Sequence, residues 1–159
     1  MGSALNTREA HWADVAAITR LIEQRRDEYQ VQAPVFWKKS AKSAVWTKGY
    51  YRFLLLTRRA TVIVAEEFGT ITGFLIAMRA RVPPVFDPGP TIFIDDFCVA
   101  SPDRWADTGG ALIRHLRAIA KERGWRQIIV VSGTADAPKN DFLSSIALSE
   151  TSSWWTGTF

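Results

Sequence analysis

The chain has 159 residues, 47% of them apolar and 23% charged, the balance of a folded globular protein and not of a disordered one. No apolar run approaches the ~20 residues of a bilayer-spanning helix. The single cysteine, Cys98, excludes an intrachain disulfide framework and a cysteine-based zinc site. The net charge of +4 is uneven, because residues 31–60 carry seven Lys and Arg and no acid, which leaves −3 on the rest.

One domain over residues 1–159 is expected at this length. The opening Met1-Gly2-Ser3-Ala4-Leu5-Asn6 lacks a basic stretch ahead of a long apolar one, and Asn6 stands where a myristoylation signal takes Ser or Thr. Neither a leader nor a lipid anchor is expected, and a cytoplasmic protein is the economical reading. The basic stretch suits phosphate, nucleic acid or an acidic partner, but the solvated face of a helix is the commoner explanation.

In chain order, residues 5–10 read as a first strand. Trp12, Val15, Ile18 and Ile22 then recur at helical steps, predicting a helix over 12–28 with Asp14 in its first turn and Arg25 and Arg26 in its last. A second helical stripe follows in Val45, Trp46, Gly49, Tyr50, Phe53 and Leu54, with Lys48 and Arg52 opposite. Residues 61–65 and 71–78 are β-branched runs joined around Gly69, a hairpin signal. Residues 81–90 hold four of the seven prolines and read as a loop. A strand over 91–99, a helix over 108–123 ending at Gly124, and a strand over 127–131 make a crossover that sets its two strands parallel. A short helix over 141–148 and a last strand over 153–159 complete the chain. The fold class is therefore α/β (α+β mixed), a central mixed sheet with helices on both faces and one core.

Between the fourth strand and the long helix lies Arg104-Trp105-Ala106-Asp107-Thr108-Gly109-Gly110-Ala111. A helix N-terminus exposes unpaired N–H groups and the positive end of its dipole, and glycine lets a phosphate approach them. A plain turn, with Gly109 and Gly110 easing packing, explains the same residues. Walker A and the dinucleotide fingerprint are both absent.

Phe93-Ile94-Asp95-Asp96-Phe97-Cys98-Val99, followed by Pro102 and Arg104 to Ile113, resembles the acyl-CoA binding motif of the GNAT acetyltransferases. In that family a Gln/Arg-x-x-Gly-x-Gly/Ala turn after the strand cradles the CoA pyrophosphate. Arg104 matches its first position and Gly109 its sixth, and the element order of nearly the whole chain is similar, from Arg8-Glu9-Ala10 with Asp14 to the closing stretch Asp136 to Leu148. The resemblance implies that Arg104, Trp105, Ala106, Asp107, Thr108, Gly109 and Gly110 hold pyrophosphate. It also implies that the N–H groups around Phe97, Cys98 and Val99 hold the pantetheine arm and polarise the thioester carbonyl.

Two positions depart from the pattern. Asp107 replaces the usual Gly, and its carboxylate either repels pyrophosphate or caps the helix by accepting from the N–H of Gly109 or Gly110. Leu143 stands where the family often carries a Tyr that protonates the departing sulfur. A thiol with a pKa near ~8.5 leaves without much help.

An amine acceptor needs a base before it attacks a thioester, and the acid pair Asp95 and Asp96 supplies two candidates. Strand alternation turns one of them into the acceptor cleft and the other away, unless a β-bulge intervenes. Asp95 is favoured. His11 reads as a cap or surface group, His115 has no second ligand near it, and no metal is expected. Cys98 reads as a buried small hydrophobe, with an acyl-cysteine as the minor alternative. Trp154-Trp155 read as core or subunit-interface aromatics, the latter implying a homodimer.

The expected function is transfer of an acetyl group from the cosubstrate acetyl-CoA to a primary amine of a small molecule, amino acid or peptide, by direct attack in a ternary complex. The basic stretch 38–59 would border the acceptor. The alternatives are an inactive CoA-binding or protein-interaction module and, less favoured, a nucleic-acid binder whose affinity falls steeply with salt. No membrane partner is expected.

Overall fold

The computed structural model describes residues 5–158, so the leader and lipid readings at residues 1–4, and Phe159, lie outside the described residues. Among these, five strands form one sheet in the order β1-β2-β3-β4-β5. β1 (Asn6–Glu9), β2 (Thr61–Glu67), β3 (Thr70–Arg79) and β4 (Thr91–Val99) are antiparallel neighbours, and β5 (Gln127–Val130) joins β4 in parallel. The helices are α1 (Val15–Gln32), α2 (Ser43–Thr57), α3 (Gly110–Glu122) and α4 (Ala137–Ser145).

Alternation along the strands divides the core in two. Ile63, Ala65, Leu75 and Ala77 pack with Leu112, Ile113 and Leu116 of α3. Val62, Val64, Phe74 and Ile76 pack with Val15, Ile18 and Ile22 of α1 and with Tyr51 and Leu54 of α2. Helices thus cover both faces of a mixed sheet, as the element order predicts. The β2–β3 turn places Phe68 and Gly69 at φ 51° and 74°, the paired positive angles that match the twist of a two-residue hairpin.

Arg8 on β1 holds the start of α1. Its guanidinium donates to both oxygens of buried Asp14, at 2.7 and 3.0 Å, and to Glu66 on β2. Asp14 also accepts the His11 backbone N–H at 2.8 Å, closing the first turn.

Five expectations need correction. α1 runs on to Gln32, so Arg25 and Arg26 lie inside it and not in its last turn. Trp12 stays outside the core, under the Arg52 guanidinium. The apolar stripe of α2 faces outward: the helix buries Ser43, Thr47, Tyr51 and Leu54, and exposes Val45, Trp46, Tyr50 and Phe53. Polar contacts set that rotation, because Arg26 donates to Ser43 and Thr47 while the Tyr51 hydroxyl reaches Asp96. α4 begins earlier than residue 141, where Asp136 caps the Lys139 N–H and Pro138 suits the first turn. Residues 153–158 form no strand; Trp154 and Trp155 are 80% and 95% exposed and not core, with Trp154 resting on Phe36. A run this short gains little from an extended conformation when it pairs with no neighbouring strand.

Candidate active site

The site grows from a fault in β4. Leu75 pairs with Phe97 and Ala77 with Ile94, so the two residues Asp95 and Asp96 stand opposite the single residue Ile76. This is a β-bulge, and it breaks the period of two. Ile92, Ile94 and Phe97 therefore all reach the α3 face of the core, while Cys98 reaches the α1–α2 face. The expectation that the bulge-free strand would turn one acid away is corrected: both Asp95 and Asp96 line one cavity of about 420 Å³. Its other walls include Arg25, Arg26 and Tyr29 of α1, Trp37, Lys38 and Lys39 of the following loop, and Lys139 of α4.

The two acids differ in their partners. Asp96 accepts a 2.6 Å hydrogen bond from the hydroxyl of fully buried Tyr51. Burial, and then the charge of Asp96, raises the Tyr51 pKa well above its ordinary value, so the phenol remains a donor. Partial burial raises the Asp95 pKa, and the neighbouring charge of Asp96 raises it further. A carboxylate shifted upward and facing a cavity suits a general base. Cys98 is buried, and desolvation pushes its thiol up to about 12, so the acyl-cysteine alternative is corrected: the thiolate is inaccessible at neutral pH.

The β4–β5 ladder has its last rung at Ile94–Val130, while β4 continues through Asp95 to Val99. The two parallel strands part where the cavity lies. Lys139 stands in that opening, 4% exposed, with its ammonium 2.8 Å from the Val131 carbonyl and 5.8 Å from the ring centres of both Phe97 and Trp105. Desolvation lowers its pKa. Behind it, Asp136 accepts from Arg25 and from the Tyr29 hydroxyl, tying α4 to α1.

The turn before α3 is already helical. A short 3-10 turn (Pro102–Arg104) leads into a π-helical turn (Trp105–Gly109) that runs directly into α3. The Gly110 N–H bonds within this winding, to the Trp105 carbonyl. Gly109 serves a close approach: a Cβ there would stand 2.9 Å from the Trp105 ring and 3.4 Å from Phe142. Trp105 is itself buried, stacked on Phe142 and edge-on to Phe97. Arg104 is paired with Glu67 at 2.7 Å and with Asp107 at 3.2 Å. The cap expected of Asp107 is corrected: neither this turn nor α3 has a side-chain cap, and the Asp107 carboxylate accepts only from the N–H of the next residue, Thr108, not from Gly109 or Gly110. Thr108 is fully buried and Ala106 exposed.

These residues fit an acyl-CoA unevenly but sufficiently. The β4 edge at Phe97, Cys98 and Val99 and the cavity suit an extended pantetheine arm. At the other end Arg104 is present; Glu67 orients it at 2.7 Å, and the second carboxylate on it, Asp107, is 53% exposed and free to turn to solvent. His115 meets the Thr7 hydroxyl and His11 sits at the surface beside Asp14. Among the described residues no cluster of His, Cys, Asp and Glu could hold a metal ion, and no helix is long and apolar enough to cross a membrane. Of the basic stretch, Lys38 and Lys39 reach the cavity while Lys48, Arg52, Arg58 and Arg59 lie on the exposed face of α2 and just beyond it.

Tyr51 and Lys139 were not singled out as site residues by the sequence. Lys139 carried one signal: it precedes Leu143 by four residues, so the two share a helix face.

No protein-family model and no curated protein matches the sequence. Solved structures do. The chain is similar to a ribosomal-protein-alanine N-acetyltransferase from Brucella melitensis biovar Abortus, at 20% identity and a TM-score of 0.67, over 98% of this chain and 99% of that one. A predicted acetyltransferase with acetyl-CoA from Clostridium acetobutylicum matches at 16% identity and a TM-score of 0.71, over 98% and 96% of the two chains. An aminoglycoside N-acetyltransferase in complex with CoA matches at 14% identity and a TM-score of 0.74, over 100% and 97%. At such identities the likeness is one of fold: the chain has the fold that these acetyltransferase structures share.

Proposed function

With that fold as its premise, we propose that the protein is an N-acetyltransferase that moves an acetyl group from acetyl-CoA to a primary amine of a small molecule, amino acid or peptide. The observation that carries the reading is the β4 bulge, which turns Asp95 and Asp96 together into the cavity at the point where β4 and β5 part. Acetyl-CoA supplies the activated acyl group. Asp95 takes the proton of the acceptor amine, and Asp96, held by Tyr51, orients the amine beside it. Backbone N–H groups around Phe97, Cys98 and Val99 polarise the thioester carbonyl. Arg104 and the turn through Gly110 meet the pyrophosphate once Asp107 has swung away. Lys38 on the cavity wall favours an acceptor that carries an anionic group besides its amine.

A second reading, a CoA-binding or interaction module without transferase activity, is favoured by one feature: Arg104 and the Thr108 N–H are already engaged by Asp107. The two readings separate in an assay of free-thiol release from acetyl-CoA against a panel of amines, amino acids and peptides. Amine-dependent release that is abolished in Asp95→Asn supports the transferase. Binding of acetyl-CoA without release under any acceptor supports the module.

A further inference from the structure

The turnover proposed above leaves a proton unplaced. When the carbon–sulfur bond of the thioester breaks, the sulfur keeps the electron pair and must gain a proton, and Leu143 has none to give. Lys139 is a buried donor on the wall of the cavity. Its aliphatic stem is buried in α4, and its ammonium stands where the parallel strands part, on the wall of the cavity that holds Asp95 and Asp96. It sits one helical turn before Leu143 on the same face of α4. Its surroundings suit a cation: the faces of Phe97 and Trp105 lie within cation–π range and the Val131 carbonyl accepts one N–H, which leaves further N–H bonds for a ligand.

We propose that Lys139 is the general acid of this site and delivers the proton that the departing CoA sulfur takes up. The proposal rests on the acyl-transfer reading above. The acceptor nitrogen bonds to the thioester carbonyl carbon, Asp95 takes the proton from that nitrogen, the carbon–sulfur bond breaks, and the sulfur receives a proton from Lys139 Nζ. Solvent entering the cavity after product release returns that proton to Lys139 and removes the one on Asp95.

The groups that face the ammonium are Arg25 and Tyr29 from α1 and Asp96 and Cys98 from β4. Burial lowers the Lys139 pKa below its ordinary value, so the ammonium gives up a proton more readily than an exposed lysine does.

The test compares the wild type with Lys139→Met, which keeps the apolar stem, and Lys139→Arg, which keeps the charge but does not give up its proton near neutral pH. The first readout is the ionisation of the CoA thiol on the protein, followed by thiolate absorbance during a pH titration of the complex with free CoA. The thiol is expected to ionise about one pH unit or more lower in the wild type and in Lys139→Arg than in Lys139→Met. The second is turnover, where kcat is expected to fall about 100-fold in both variants with the KM for acetyl-CoA little changed. The Lys139→Met deficit is expected to shrink for acetyl thioesters of more acidic thiols, whose sulfur leaves without a donor. An unchanged kcat, or an equal deficit for every thioester together with an unshifted thiol, overturns the assignment while leaving the transferase reading in place. A wild type that binds no CoA overturns both. Thermal unfolding of each variant separates loss of the fold from loss of the donor.

Discussion

The two ends of the candidate site are built in opposite ways. At the bulge of β4, the fold spends a regular strand to present two carboxylates to a cavity, and one of them, Asp95, faces it with a raised pKa. At the turn before α3, the polar groups are engaged by the protein itself: Glu67 and Asp107 hold Arg104, and Asp107 holds the Thr108 N–H. The acyl-transfer end is therefore preorganised, whereas a phosphate at the other end has to compete with side chains of the chain. The affinity for CoA should be limited by that competition, and the chemistry by Asp95.

The largest effect separating the two ends is expected at Asp95. Asp95→Asn should lower kcat by roughly 100-fold or more while leaving CoA binding unaffected, as measured by free-thiol release alongside titration calorimetry. A comparable loss of affinity would mean that the two ends are not independent. The next effect tests the packing under the turn. Gly109→Ala pushes a methyl group against Trp105 and Phe142 and should cost about 1–3 kcal/mol in chemical denaturation. Asp107→Asn should act on the turn itself, leaving Glu67 as the one carboxylate that holds Arg104 and removing a like charge from the phosphate end. About 1 kcal/mol, or roughly a fivefold tighter Kd for CoA, is expected from an exposed pair of this kind, with kcat unchanged.

The smallest effect is on stability and pH, and its sign distinguishes two carboxylates. Asp95 has a raised pKa in the folded state, so folding binds its proton more tightly, and stability falls as pH rises from the unfolded carboxylate value near ~3.9 through the folded one. Asp95→Asn should therefore be slightly more stable than the wild type at pH 7, with the gain gone below that lower limit. Asp14 behaves oppositely. The Arg8 guanidinium and the His11 N–H outweigh its burial and hold its pKa below the usual range, so its contribution is present above ~3.9 and is lost as pH falls through its folded value. Thermal melts of Asp95→Asn and Asp14→Asn across pH 3–7 should diverge in opposite directions.

The sequence showed the sheet well and the helix surfaces less well. β4 and the hairpin were legible because β-branched runs bounded by Gly69 and Pro90 leave few alternatives. The rotation of α2 was not, because polar Ser43 and Thr47 are drawn inward by Arg26, a residue 17 positions away in the chain for Ser43, and periodicity counts only apolar residues. The acid pair was found from its residue types, but its geometry was not, since a bulge is set by pairing with β3 and leaves no local mark. Gly109 matched a phosphate motif and a packing role equally, and the structure puts it under Trp105. Lys139 escaped notice because a lone lysine in a polar helix start reads as surface until the strands that bury it are in place.

The central claim is that the opening between β4 and β5 receives an acyl-CoA despite Asp107. The most direct test is thermal unfolding with no ligand, with free CoA and with acetyl-CoA. Ligand at 100 times its Kd adds about 2.7 kcal/mol, which for a domain of this size is a rise of roughly 5–10 °C. The account predicts such a rise for both ligands, larger in Asp107→Asn at equal concentration. An unchanged midpoint at millimolar acetyl-CoA, in the wild type and in Asp107→Asn alike, would contradict it.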